Sequence, residues 1–312
     1  MVLIETFVNG LIIGSIFALF AASFTIIFGV MDIPNMAHAA LFAGGAYIYL
    51  QVVELTGFPW YVGIIVAVLA ITAIGGMIER TLFQPLYERS ETEYIFGIIL
   101  VTLGLHEIFE RGFADIWTHQ SHYLGLAELQ DSSVTAGAIS VNYLEIIVLA
   151  ATIGSFVFLY WLVNYTRIGL SLRAIVQDRE LAKMKGINVS RSFFLAFMLG
   201  SGMAALAGIL NASMFTLTPE MGFDLLIKAF IIVILGGIGR IFGAMIAGYA
   251  FGMYEAFAIL YLSSYWIFAS QFAVLILFFL VKGYLVQGGE DSLMKAAKRK
   301  IGRSSRLGGS AG

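Results

Sequence analysis

The chain has 312 residues, of which 60% are hydrophobic and 12% charged, with a net charge of −2 and a mean hydropathy of +0.90. Soluble domains carry roughly 25% charged residues, so no water-facing fold accounts for this much apolar surface, and the solvent must be lipid. There is no cysteine, which excludes disulfides and thiolate metal sites.

The N-terminus reads Met1-Val2-Leu3-Ile4-Glu5, without the basic stretch of a cleaved leader. The first apolar run is therefore expected to stay as a span. A crossing helix needs about 20 mostly apolar residues. In chain order such runs cover 6–30, 36–53, 60–79, 94–112, 143–163, 192–214, 241–262 and 266–286, with a shorter, glycine-broken ninth at 225–239. They are apolar on every face rather than alternating, which predicts helices and not a barrel. The expected fold is all-α: a polytopic transmembrane bundle of eight or nine helices with broken or re-entrant segments. It forms one domain over 1–290, and a polar, basic tail follows over 291–312.

Between the first two runs lies Gly29-Val30-Met31-Asp32-Ile33-Pro34-Asn35-Met36-Ala37-His38-Ala39. Pro34 disfavours helix at the residue before it, and Asp32 and Asn35 are helix-capping types. A tight turn or re-entrant hairpin is expected, with His38 one turn into the next helix and more readily a hydrogen-bonded structural residue than a reactive one. The fourth run carries His106, Glu107 and Glu110, which are expected at its outer end as interfacial groups; Glu145, Lys228 and Glu255 also lie in or beside apolar stretches, with Glu255 the deepest.

Lys and Arg set the orientation. Arg80 and Arg89 lie in one connection. Arg167, Arg173, Arg179, Lys183, Lys185 and Arg191 lie in the long 164–191 connection. Lys295, Lys298, Arg299, Lys300, Arg303 and Arg306 lie in the tail. All three are expected in the cytoplasm, including the C-terminus. The 110–142 connection is acidic, with Glu110, Asp115, Glu128 and Asp131 against Arg111, and 215–224 holds Glu220 and Asp224 without a basic residue; both are expected outside. The N-terminus is outside if all nine runs cross, and inside if one is re-entrant and eight spans remain.

Glycine is frequent and proline rare, 34 against 4. Gly10 and Gly14, Gly239 and Gly243, and Gly248 and Gly252 stand four apart, the spacing that lets helix backbones approach closely in lipid. Leu235-Gly236-Gly237-Ile238-Gly239-Arg240 is a poor helix interior and reads as a break. There is no G-x-x-x-x-G-K-[ST] loop, no H-E-x-x-H and no nucleophile elbow. The chain is thus read as a non-enzyme that does not hydrolyse nucleotide itself. His119 and His122 read as ordinary loop residues, and the basic tail as an inner-leaflet signal rather than a nucleic-acid site.

Several of these segments together resemble a family. They are Asn9-Gly10-Leu11-Ile12-Ile13-Gly14-Ser15, Pro34-Asn35-Met36-Ala37-His38, Gly137-Ala138-Ile139-Ser140-Val141, and the loop residues Arg167, Gly169, Arg173, Ala174 and Asp178, extended by Ala182, Gly186, Ile187 and Asn188. Lys228-Ala229-Phe230 followed by Gly236-Gly237-Ile238-Gly239 completes the set. In this order they resemble the branched-chain amino acid permeases of ABC importers, the shorter of the two membrane subunits. Ala39, Ala40 and Arg240 depart from that pattern, where a glycine, an acid and a serine are usual.

The resemblance implies a subunit of an ATP-driven importer for branched-chain amino acids in the plasma membrane of a prokaryote. Its partners would be a second permease, two cytoplasmic ATPases and an extracytoplasmic solute-binding protein. ATP would be used by the partner subunits, so no cofactor is expected in this chain. Arg167, Gly169, Arg173, Ala174, Asp178, Ala182 and Gly186 would form the ATPase-coupling loop. Within it a short helix from about Arg173 to Lys185 would dock, with Gly169 and Gly186 as the turns and Arg173 and Asp178 as anchors. Asn35, His38, Gly236, Gly237 and Glu255 are the candidates near the translocation path. The alternatives are a permease for urea, short amides or another small organic solute, and an ion-coupled secondary transporter.

Overall fold

A computed structural model describes residues 2–87, 89–117, 124, 129, 132–136, 139–263 and 265–281. The expectations for His119, His122, Glu128, Asp131, Gly137, Ala138 and the 291–312 tail lie outside these residues. The described chain is almost wholly helical. In order the helices are α1 (Val2–Met31), α2 (Ala37–Thr56), α3 (Trp60–Ile78), α4 (Glu91–Trp117), α5 (Tyr143–Tyr165), α6 (Arg167–Gln177), α7 (Arg179–Met184), α8 (Val189–Met214), α9 (Met221–Gly236), α10 (Ile241–Tyr261) and α11 (Tyr265–Val281). Seven of these, namely α1 to α5, α8 and α10, are long and apolar enough to cross a membrane. A single hairpin, β1 (Ser133–Ala136) paired antiparallel with β2 (Ile139–Asn142), departs from the all-helical expectation in the acidic 110–142 connection.

Residues Met1–Tyr261 form one compact unit, and a second begins at Leu262. In the first, α1 is the axial helix: it packs on α10, α8, α9 and α5. Its most apolar window is 83% buried, against 22–33% for α3, α4, α5 and α10. An apolar sequence without a polar face needs this position, because every side of it requires cover. The outer helices instead turn Leu69, Leu100, Val157 and Ile246 outward, a surface that only lipid solvates without cost.

The α1–α10 contact is the most extensive in the bundle. A Cβ on Gly252 would enter the backbone of Gly14, and one on Gly248 would enter Ala18. The sequence spacing of small residues thus maps onto a real backbone approach.

The break after α1 is a return segment. Asp32, at φ 58, ends the helix; Ile33 and Asn35 are buried, and Asn35 Oδ1 accepts from Ala37 N at 3.1 Å. His38 Nε2 then lies 2.9 Å from Ser23 Oγ. Ser23 is eight residues before Met31, about 12 Å up α1 at 1.5 Å per residue. The segment therefore climbs back along α1, and α2 starts inside the bundle.

The α3 end also changes pitch. It continues as a π turn, Glu79–Phe83, and a 3-10 turn, Gln84–Leu86, where Pro85 has no amide to donate to the regular ladder. The turn buries Glu79, whose Oε1 accepts from Tyr87 Oη at 2.8 Å. Burial, reinforced by the Glu79 carboxylate, pushes the Tyr87 hydroxyl well above its ordinary range and holds it as a donor.

Candidate functional site

Three connections meet at one end of the bundle: the turn after α1, the α3–α4 connection and the α6–α7 loop. Met31, Asp32, Tyr87, Arg89, Asp178 and Arg179 line one cavity of about 530 Å³ there. This end gathers Arg89 and the basic 164–191 loop, the charge expected from the sequence on the cytoplasmic side.

The loop is two helices, not the single helix expected from about Arg173 to Lys185. Asp178, at φ −159 and ψ 109, interrupts them. Each start is capped by a side chain. Thr166 Oγ1 accepts from Gly169 N at 3.1 Å, Asp178 Oδ1 from Leu181 N at 2.8 Å, and Asn188 Oδ1 from Arg191 N at 2.9 Å. The α7 end closes with Gly186 N donating to Lys183 O and Ile187 N to Ala182 O, with Gly186 at φ 83. This is the left-handed glycine stop of a helix. Asp178 is thus an exposed cap of α7, a role the sequence reading did not give it. Replacing it with alanine removes one cap and is expected to cost about 1 kcal/mol of α7 stability, read as faster amide exchange over residues 179–184 with the other helices unchanged.

Gly169 does not turn the chain. It sits in the first turn of α6, where a Cβ would strike the Leu162 carbonyl and the Val163 backbone of α5. It allows α6 to fold back tightly on α5. Gly169, Leu172 and Ile175 form the buried stripe of α6, and Ala182 is the buried residue of α7. Arg167, Arg173 and Asp178 are exposed, and Ala174 is half-buried. Arg173 also lines a small cavity with Val176, Gly239 and Thr25.

Arg179, which sequence reasoning did not single out, ties the platform down. Its guanidinium lies 4.9 Å from the ring centre of Phe193 on α8 and 5.6 Å from that of Tyr94 on α4. Tyr94 Oη in turn donates to Met31 O at 3.3 Å. One side chain of α7 thereby reaches α8, α4 and the end of α1. The only local signal was an arginine beside a helix cap; of its aromatic partners, Tyr94 is far away in sequence and Phe193 lies on the next helix.

The candidates for the translocation path fall in three places. Asn35 and His38 are enclosed in the return segment, with His38 stacked on Phe20 at 5.1 Å. Gly236 and Gly237 form the turn after α9, Gly237 at φ 93 and Gly239 at φ 75. That turn lies at the basic end. A Cβ on Gly29 would enter Gly239, and one on Gly239 would meet Val176 of α6. Glu255 of α10 stands apart, paired with Lys228 of α9 at 2.6 Å.

A family model described as branched-chain amino acid transport system / permease component matches residues 6–281. The high-affinity branched-chain amino acid transport system permease protein LivH of Salmonella typhimurium is 31% identical over 287 residues, covering 88% of this chain and 91% of that protein. The corresponding permease protein BraD of Pseudomonas aeruginosa is 28% identical over 268 residues, covering 81% and 85%. The probable branched-chain amino acid transport permease protein LivH of Methanocaldococcus jannaschii is 28% identical over 262 residues, covering 82% and 81%.

Proposed function

The chain belongs to the family of branched-chain amino acid transport system permease components, and on that premise we propose how it works in an ATP-driven importer of these amino acids. It spans the plasma membrane of a prokaryote with its C-terminus in the cytoplasm. It works beside a second, distinct permease homologue, with two cytoplasmic ATPases below and an extracytoplasmic solute-binding protein above. The relatives' names favour amino acids over urea or short amides.

The observation that carries the coupling role is the α6–α7 platform. Side-chain caps at Thr166 and Asp178, the glycine stop at Gly186 and the Arg179 clamp make it a rigid body. Its outer surface combines Arg167, Arg173 and Lys183 with exposed Leu170, Leu181 and Met184. Large exposed apolar side chains on a charged cytoplasmic surface suit a protein partner. An ATPase seated there moves the platform on binding ATP, and the platform moves the end of α1 and the α9–α10 turn, which it touches.

The test is purification from the native membrane beside an Arg173→Glu, Met184→Asp variant. The variant should insert normally, lose the co-purifying ATPase and import leucine at least tenfold more slowly. Leucine import by the wild type with no ATPase present would replace this mechanism with ion-coupled transport.

A further inference from the structure

The surface formed by α4, the first half of α9 and α10 carries charge at a depth where its neighbours carry none. On α4, His106 Nε2 lies 3.1 Å from Glu110 Oε2, and the His106 ring stacks on Phe223 of α9 at 5.0 Å. Asp224, the next residue of α9, is exposed. One turn further, Lys228 Nζ meets Glu255 Oε1 of α10 at 2.6 Å and lies 5.0 Å from the Phe17 ring of α1. The helix α9 thus joins two polar pairs, one on each flanking helix.

Their depth follows from helix rise. Tyr94 is level with Met31 through its hydrogen bond. His106 is 12 residues further along α4 and Phe17 is 14 residues back along α1, which places both about 20 Å above the basic end. With a hydrocarbon core about 30 Å thick, the pairs lie in the outer half of the membrane rather than at its outer edge, where the sequence had put His106 and Glu110. Ionised groups at this depth face a water-filled cavity or a partner, not lipid. An apolar pair would hold α9 to α10 as well as an ion pair does, so packing alone does not account for Lys228 and Glu255.

Resting on the importer reading above, we propose that this surface is the wall of the translocation path that recognises the zwitterionic head of an α-amino acid. Lys228 exchanges the Glu255 carboxylate for that of the ligand. The ligand ammonium is taken by Asp224 and Glu255, with Glu110 adding negative potential. Exchange of one ion pair for another conserves charge in the membrane interior, so an ammonium and a carboxylate on one carbon enter where either charge alone does not.

The chain has no cysteine, so single-cysteine variants report water access directly. In the complete complex in native membrane vesicles, Asp224→Cys should react with a charged, membrane-impermeant methanethiosulfonate added from outside, and saturating leucine should slow the reaction at least fivefold. Ile246→Cys, on the outward face of α10, is the control and should not react. In parallel, a Lys228→Met, Glu255→Leu double variant should assemble at the wild-type level yet import leucine at least fiftyfold more slowly. An Asp224→Cys as unreactive as the control, or a double variant with wild-type import, overturns this inference while wild-type leucine import still supports the importer reading. If the wild type imports no leucine, it is the importer reading that falls.

Discussion

Replacing Gly252 with valine is expected to prevent this protein from accumulating in the membrane. The Gly252 backbone lies on Gly14 with no room for a Cβ between them, so any side chain must force α10 away from α1. The two form the most extensive helix–helix contact of the bundle. In lipid no hydrophobic effect drives helices together, and close van der Waals contact is the main source of association. Separating two backbones therefore removes the interaction itself. Overpacking of a tight core costs typically 1–3 kcal/mol, and here the contact runs on through Gly248 against Ala18. Quantitative immunoblotting of membranes should show Gly252→Val at a few per cent of wild type. Gly104→Val is the matched control, since an added Cβ there meets nothing, and it should accumulate normally.

Arg179→Ala is expected to leave the protein in the membrane and abolish transport. The guanidinium holds α7 to Phe193 and Tyr94; each such contact is worth about 0.5–2 kcal/mol, against a whole-fold stability of roughly 5–15 kcal/mol. The bundle survives that loss. The platform, held otherwise by the α6 stripe and one buried alanine on α7, no longer moves α4 and α1 with it. Purified complex should still hydrolyse ATP while leucine import falls at least twentyfold. Arg179→Lys keeps a cation over the rings but loses the planar stack, and should recover part of the import. Equal loss of hydrolysis and import would instead mean that the residue serves assembly.

The parts visible in the sequence were those with a local cause. Long apolar runs marked the seven membrane-length helices to within a few residues, while the 225–239 and 266–286 runs correspond, among the described residues, to the shorter α9 and α11. Asp32, Pro34 and Asn35 marked the return segment, and Gly186 marked a real stop. Three features were not legible, each for its own reason. Arg179 was one basic residue among six in its loop until the fold set Tyr94 and Phe193 beneath it. Gly169 looked like a hinge, because a glycine chosen for close approach to α5 is written the same way as one chosen for a turn. The capping role of Asp178 was hidden because it depends on a helix starting directly after it, where one continuous helix was expected. The level of α4 against α1 was hidden for another reason. The ends of a span do not show where its neighbours begin, and here the Tyr94–Met31 hydrogen bond sets that level.

The return segment has a consequence for how the protein is made. The first turn of α2 begins about 12 Å inside the bundle, and Gly222 of α9 lies directly against the Ala39 backbone. The ribosome delivers α9 some 180 residues after Ala39. Through most of synthesis the start of α2 therefore lacks its final cover, although its exposed amides need partners at membrane depth. The first two helices must be held by the insertion machinery, or as a provisional pair, until the last third of the chain arrives. A nascent chain stalled before residue 222 should remain crosslinked to an insertase through α2, and one stalled after α10 has emerged should be released.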